Sequence, residues 1–188
     1  MNLRKLIDAE PNIQRPKNVS DSQWNKALEL YVAAKNVGDK FPELTVAQAA
    51  LETGWFKKES GKNNFFGQKA TKSQRGSSVV THEVYNGNKK RITDRFRDYD
   101  SIEESLQDRK NKWMSKYKDA ATTGEAIDSI WKLDENKKQG RGYATDPEYG
   151  NKINTILGMM GVQEGTTTTE GQITSGETPE KSGDTPIT

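Results

Sequence analysis

The sequence predicts a mainly helical α+β protein with one small β-hairpin. Helical periodicity with capping residues recurs along most of the chain, and one stretch alternates like paired strands around Asn86-Gly87. The last residues lack the apolar content to join a core. The expected organisation is a lead-in over 1–20, a folded domain over 21–161 and a disordered polar tail over 162–188.

In order, residues 1–20 hold Pro11 and Pro16 without a sustained period, as expected of a segment that packs on the surface or stays mobile. Ser20 offers an N-cap, and Trp24, Leu28, Tyr31 and Val32 follow at helical spacing until Val37-Gly38. Trp24 and Tyr31 are expected in the core. A second helix is expected from Pro42 or Glu43 to Thr53, stopped by Gly54. Its residues Val46, Ala47, Ala49, Ala50 and Leu51 leave little to face water, yet Glu52 stands near its end. An acid in so apolar a segment is hard to ionise, so its pKa should rise, which suits a general acid. A residue that merely caps or pairs on a half-exposed helix would fit the same local pattern.

A polar turn-rich stretch, residues 57–64, leads to Phe65-Phe66-Gly67, where aromatics are expected to pin the loop or line a cleft. Residues 78–85 and 89–99 flank the Asn-Gly turn as a hairpin. Alternation puts Val79, Thr81, Glu83 and Tyr85 on one face and Val80, His82 and Val84 on the other. Asp100-Ser101 caps a helix through Ile102, Leu106, Arg109 and Trp113 that should end near Tyr117. Thr122 to Glu125 opens another, running to Leu133, and residues 134–141 read as a mobile charged linker. Asp146-Pro147, an N-cap with proline at the first helical position, opens a last helix through Ile153, Ile156, Leu157 and Met160 to Gly161.

With no cysteine, disulfides and thiolate chemistry are excluded, and His82 as the one histidine disfavours a histidine metal site or a serine–histidine triad. No cofactor or metal is expected; carboxylates and tyrosines are left for acid–base work. No apolar run is long enough to span a bilayer, and the first residues lack the apolar centre of a classical signal peptide. The formal charge of +2 divides unevenly: the acidic residues of 162–188 outnumber their one lysine by four, leaving +6 on residues 1–161. Such a body suits a polyanionic neighbour, nucleic acid or an anionic wall polymer. No aromatic-basic stripe or nucleic-acid-binding motif is present, so nucleic acid is not the expected partner.

Five blocks in order, Ala47–Trp55, Asn63–Gly67, Thr81-His82-Glu83, Phe96–Tyr99 and Gly142–Pro147, resemble the glucosaminidase family, glycoside hydrolase family 73. This family includes flagellar rod-cap muralytic domains and phage and bacterial autolysins. The resemblance spans roughly Thr45 to Gly161 and implies a lysozyme-like fold that cleaves the β-1,4 glycan of peptidoglycan. By position it implies that Glu52 is the general acid, Glu83 the second carboxylate and Tyr143 an aromatic at the cleft floor needed for activity. Asn64, Phe66 and Gly67 match the loop beside the acid, and Gln48 and Asp146, within matching blocks, are placed with them as substrate-side residues. By its local sequence Asp146 reads as a helix N-cap rather than a catalyst. Trp55, Phe65, Tyr85 and Tyr143 are rings suited to stacking on sugars, with Trp55 as compatible with core as with cleft. Two departures touch subsite detail: Phe56 stands where the family often has glycine, and Gln68 where an apolar residue is common.

The expected activity is endo-β-N-acetylglucosaminidase-type hydrolysis, by a phage endolysin or virion-associated lysin that stays in the host cytoplasm until holin-type release or rides on the virion. The polar tail would then be a site for a virion or tail partner. A lytic transglycosylase and a non-catalytic tail or flagellar component are the alternatives.

Overall fold

The computed structural model describes residues 12–162, apart from Asn86 and Gly87 and the side chains of residues 81–90. Five helices and two antiparallel hairpins are formed by these residues. Helix α1 (Asp21–Asn36) opens on a capping box: Gln23 N–H donates to Ser20 Oγ, and Ser20 N–H to Gln23 Oε1. It ends at Val37, and Gly38 takes φ +81°. Tyr31 is buried as expected, whereas Trp24 is half-buried against the core.

Helix α2 (Pro42–Thr53) is the centre of the domain. It packs against α1 on one side and against α5 (Tyr149–Met159) on the other. Ten of its twelve residues are buried, and the two that are not are Leu51 and Glu52. Gly54 ends it in the left-handed region at φ +58°, and Trp55 and Phe56 continue there at +59° and +60°. That conformation is uncommon for residues with a Cβ. It is held by Trp55 N–H donating to the Ala50 carbonyl, Phe56 N–H to Thr53 Oγ1, and Gln23 Nε2 to the Trp55 carbonyl. The positive φ explains why glycine is an apt occupant at position 56.

Strands β1 (Gly76–Tyr85) and β2 (Asn88–Arg97) pair in unbroken register, Gly76 with Arg97 through to Tyr85 with Asn88. Helix α3 (Ile102–Lys112) is capped by Ser101 and passes through Trp113 into a 3-10 turn, Met114–Lys116. Helix α4 (Thr123–Ile130) is capped by Thr122.

Beyond α4 the structure departs from expectation. The helix stops at Ile130 rather than Leu133, and β3 (Trp131–Asp134) pairs with β4 (Gln139–Gly142) where a mobile linker was expected. The reason lies in the glycines. A Cβ on Gly140 would strike Trp131 Nε1, and one on Gly142, at φ +101°, would strike the Ile130 carbonyl oxygen. These strands are therefore made by close backbone approach rather than by β-branched side chains. The last helix also starts later than expected, at Tyr149, with Glu148 at its cap position. The lead-in is anchored in part: Ile13 and Val19 are buried, and Gln14 N–H donates to the Met160 carbonyl. Residues 1–11 and the expected tail from Gln163 onward lie outside the described residues.

Two outcomes follow. Gly142→Ala, forced against a backbone oxygen at positive φ, should cost about 3 kcal/mol of unfolding free energy in a denaturant titration. Glu43 is buried on α2, and burial raises its carboxyl pKa, partly opposed by the Thr123 hydroxyl donating at 3.0 Å. The folded state thus holds the proton more tightly than the unfolded one, so Glu43's contribution is complete at acid pH and is lost as pH rises through the folded value. Glu43→Gln should flatten that part of the stability–pH profile.

Candidate active site

Glu52 is exposed at the end of α2, but the protein around it removes enough water to raise its carboxyl pKa above 4.5, opposed by the charge of Arg109. Among the described residues it accepts no hydrogen bond and joins no ion pair, and no basic residue occupies the last turn of its helix. Its charge in turn raises the phenols of Tyr143 and Tyr149, which are lifted first by burial. Glu52, Arg109, Tyr143 and Tyr149 therefore share one electrostatic neighbourhood.

Three residues of α2 lie along one line of the helix, at spacings of three and four: Thr45, Gln48 and Glu52. Gln48 is fully buried; its Nε2 donates to Tyr149 Oη at 2.5 Å and its Oε1 accepts from Arg109 Nη2. Arg109 Nε donates to Thr45 Oγ1 at 3.2 Å, and that hydroxyl donates to Asp39 Oδ2 at 2.6 Å. Tyr117 Oη donates to the other Asp39 oxygen at 3.0 Å. Gln48, expected on the substrate side, is thus spent inside the protein.

Tyr143 reaches this neighbourhood from the bend after β4, where its N–H donates to the Ile130 carbonyl at 2.8 Å. Its ring stacks on Tyr149 at 5.5 Å and meets the edge of Trp113 at 4.9 Å. The hydroxyl is buried without a hydrogen-bond partner among the described residues, as is Nη1 of Arg109. Buried polar atoms are rarely left so, which marks this phenol and guanidinium as the polar groups that the surrounding packing does not satisfy.

The 64–68 loop forms the opposing wall. Asn64 Nδ2 donates to the carbonyls of Gln68 and Arg97, and its Oδ1 accepts from Gln68 N–H. Asn64 is therefore a fastener between this loop and the base of the first hairpin rather than a ligand contact. Only backbone atoms of Gln68 take part in these bonds, so its departure from an apolar residue costs this fastening nothing. Phe65 presents no face to a ligand: it is fully buried, edge-on to Phe56 and Phe66. Phe66 is half-buried with Arg109 Cζ 4.7 Å from its ring centre. Gly67, at φ +62°, borders open space. Trp55 is half-buried against the core.

Asp146 belongs to the fold. Its carboxylate accepts Glu148 N–H at 2.9 Å and pairs with Lys152 at 2.5 Å, a bond that lowers its pKa. The side chains of His82, Glu83 and Tyr85 lie outside the described residues; the backbone places Glu83 on β1 opposite Lys90. A concavity of about 450 Å³ between Gly38, Lys110 and Lys118 includes neither Glu52 nor Tyr143. Two of its lysines donate to backbone carbonyls, Lys110 to Val37 and Lys40 to Ala120, which gives them structural roles.

Sequence reasoning missed Arg109 and Tyr149. A lone arginine in the apolar stripe Ile102–Leu106–Trp113 was the available signal for the first. For the second it was the polar line Thr45–Gln48–Glu52, which needs partners across the core.

Comparison with known proteins bears on the family and the fold. The sequence profile of the family described as mannosyl-glycoprotein endo-beta-N-acetylglucosaminidase matches residues 28–161. The chain is 34% identical over 132 residues to the exo-glucosaminidase LytG of Bacillus subtilis, covering 65% of this chain and 45% of that protein. It is 35% identical over 130 residues to the peptidoglycan hydrolase FlgJ of Salmonella typhimurium, covering 62% and 39%. It thus spans less than half the length of these curated relatives. The catalytic domain of the autolysin Auto from Listeria monocytogenes superposes with a TM-score of 0.59 at 25% identity, covering 86% of this chain and 96% of that one.

Glu52 should titrate above the 4.5 of an ordinary glutamate, because desolvation favours the neutral acid. Carbonyl ¹³C titration checks this, and a midpoint at or below that value would contradict the account of the site.

Proposed function

Because this chain belongs to the glucosaminidase family of glycoside hydrolases, we propose that it hydrolyses the β-1,4 glycan of peptidoglycan, with Glu52 as the general acid. One observation carries the reading: a carboxylic acid with no hydrogen-bond or ion-pair partner among the described residues, its pKa raised by desolvation, at the exposed end of an otherwise buried helix. The name of FlgJ, a peptidoglycan hydrolase, supports the substrate class, and that of LytG, an exo-glucosaminidase, supports glycosidic cleavage.

In this reading Glu52 protonates the glycosidic oxygen as its bond to the anomeric carbon breaks, and an oxocarbenium-like centre develops on the sugar. The neutral acid is the competent form, so activity falls as pH rises through the raised pKa. The Tyr143 hydroxyl, in the same electrostatic neighbourhood as Glu52, is buried in this structure, so it would meet a substrate oxygen only if glycan binding opens a path to it. Glu83, on the first hairpin, is the proposed base that activates water, and an arm of two strands is suited to bringing it towards Glu52 when glycan binds. Assistance from the N-acetyl group of the substrate is the alternative to that base. Cleavage after N-acetylglucosamine, and service as a phage endolysin or virion-borne lysin, are the finer parts of the proposal; sequence resemblance alone supports them.

Mass spectrometry of sugars released from purified peptidoglycan tests the whole reading. Wild type should yield reducing N-acetylglucosamine ends, and Glu52→Gln should lower kcat by about 10²–10⁴-fold. Anhydro ends would instead identify a lytic transglycosylase, and Glu83→Gln with full activity would remove the second carboxylate from the mechanism.

A further inference from the structure

We propose that Arg109 is a positioning residue for the acid: it joins the two aromatic walls of the site and supplies the positive charge that Glu52 faces. The inference rests on the reading of Glu52 given above.

Three observations carry it. Arg109 is 3% exposed, and among the described residues no carboxylate lies within ion-pair distance of it. A buried cation without a direct counter-ion is expensive, so a chain needing only to fill this space would do better with an apolar side chain. Second, its guanidinium stands 4.7 Å from the ring centre of Phe66 and 5.8 Å from that of Tyr143. Those rings belong to separate loops, one fastened to the first hairpin and one following the second. Third, Gln48 accepts from Nη2 and passes its own donor to Tyr149, on which Tyr143 stacks. The same cation therefore touches both walls and, through Gln48, the tyrosine that backs one of them.

The chemistry explains the charge. Desolvation lets Glu52 keep its proton, but it would also make the carboxylate left after proton transfer unfavourable. Arg109 opposes that effect, stabilising the ionised form when the proton has gone to the leaving oxygen. Among the described residues, Tyr143, from the bend after β4, and Tyr149, from α5, also feel Glu52, and burial raises the pKa of both phenols.

The test uses the full chain with a soluble peptidoglycan glycan, reading kcat, KM and the pH profile for Arg109→Met, Arg109→Lys, Gln48→Leu and Glu52→Gln. Arg109→Met should lose about 10- to 100-fold in kcat with a smaller change in KM, and its alkaline limb should move to higher pH. Arg109→Lys should return the limb towards wild type, and Gln48→Leu should lower kcat without moving it. A folded Arg109→Met with the wild-type limb, or Met and Lys variants with the same displaced limb, would overturn the proposal. Should Arg109→Met fail to fold by circular dichroism, wild-type kcat in both Arg109→Lys and Gln48→Leu would overturn it. An active Glu52→Gln removes the acid reading, and the role of Arg109 with it. An inactive one beside a wild-type limb in Arg109→Met removes the Arg109 proposal alone.

Discussion

A guanidinium buried without a carboxylate in contact is the constraint to which the interior of this protein is fitted. Arg109 is linked to the carboxylate of Asp39 through the hydroxyl of Thr45. That relay requires Asp39 after α1, Thr45 and Gln48 on α2, Arg109 on α3 and Tyr149 on α5 to converge on one network. Apolar burial brings these helices together but is indifferent to small rotations. A network in which each polar atom needs a particular partner is not indifferent, and a half-satisfied one is costly. The polar line therefore sets how α2 is turned, and with it where Glu52 emerges.

The two hairpins serve the same centre differently. The first is a long regular arm whose base is fastened to the 64–68 loop by Asn64 and by Lys62 N–H donating to Asp98. The second is short and glycine-built, closing over Trp131 so that the chain leaves β4 at Tyr143. Each delivers one aromatic ring to Arg109. The rings expected from sequence to meet a ligand divide accordingly: Phe65 is a core residue, Phe66 and Tyr143 are anchored on the cation, and Trp55 completes a left-handed turn.

Much of the architecture was legible because it rests on local rules. Ser20, Ser101 and Thr122 cap their helices, Gly54 stops α2, and Asn86-Gly87 separates two strands of perfect register. The second hairpin was not legible, since Trp131-Lys132-Leu133 continues a helical pattern and Gly140 and Gly142 declare their purpose only against Trp131 and Ile130 in space. Of the site, Glu52 could be read from its apolar setting, whereas Gln48 and Asn64 could be placed near it but not assigned. Both amides are consumed within the protein, by partners up to 101 residues away for the Gln48–Tyr149 bond and 33 for Asn64–Arg97. Sequence spacing carries no record of such long-range pairing.

Helix α2 also acts as a ruler. Successive residues turn by about 100°, so Thr45, Gln48 and Glu52 share a line only at their present separations. One residue added or removed between Thr45 and Glu52 would swing the acid a quarter-turn or more away from Arg109 and Tyr149, even with composition and core volume unchanged. The β1–β2 arm has no such phase: two residues added to each strand keep every side chain on its original face. Length variation in relatives of this chain should therefore collect in the arm, which sets reach, and be absent from the ten helical residues 42–51 that lead into the acid.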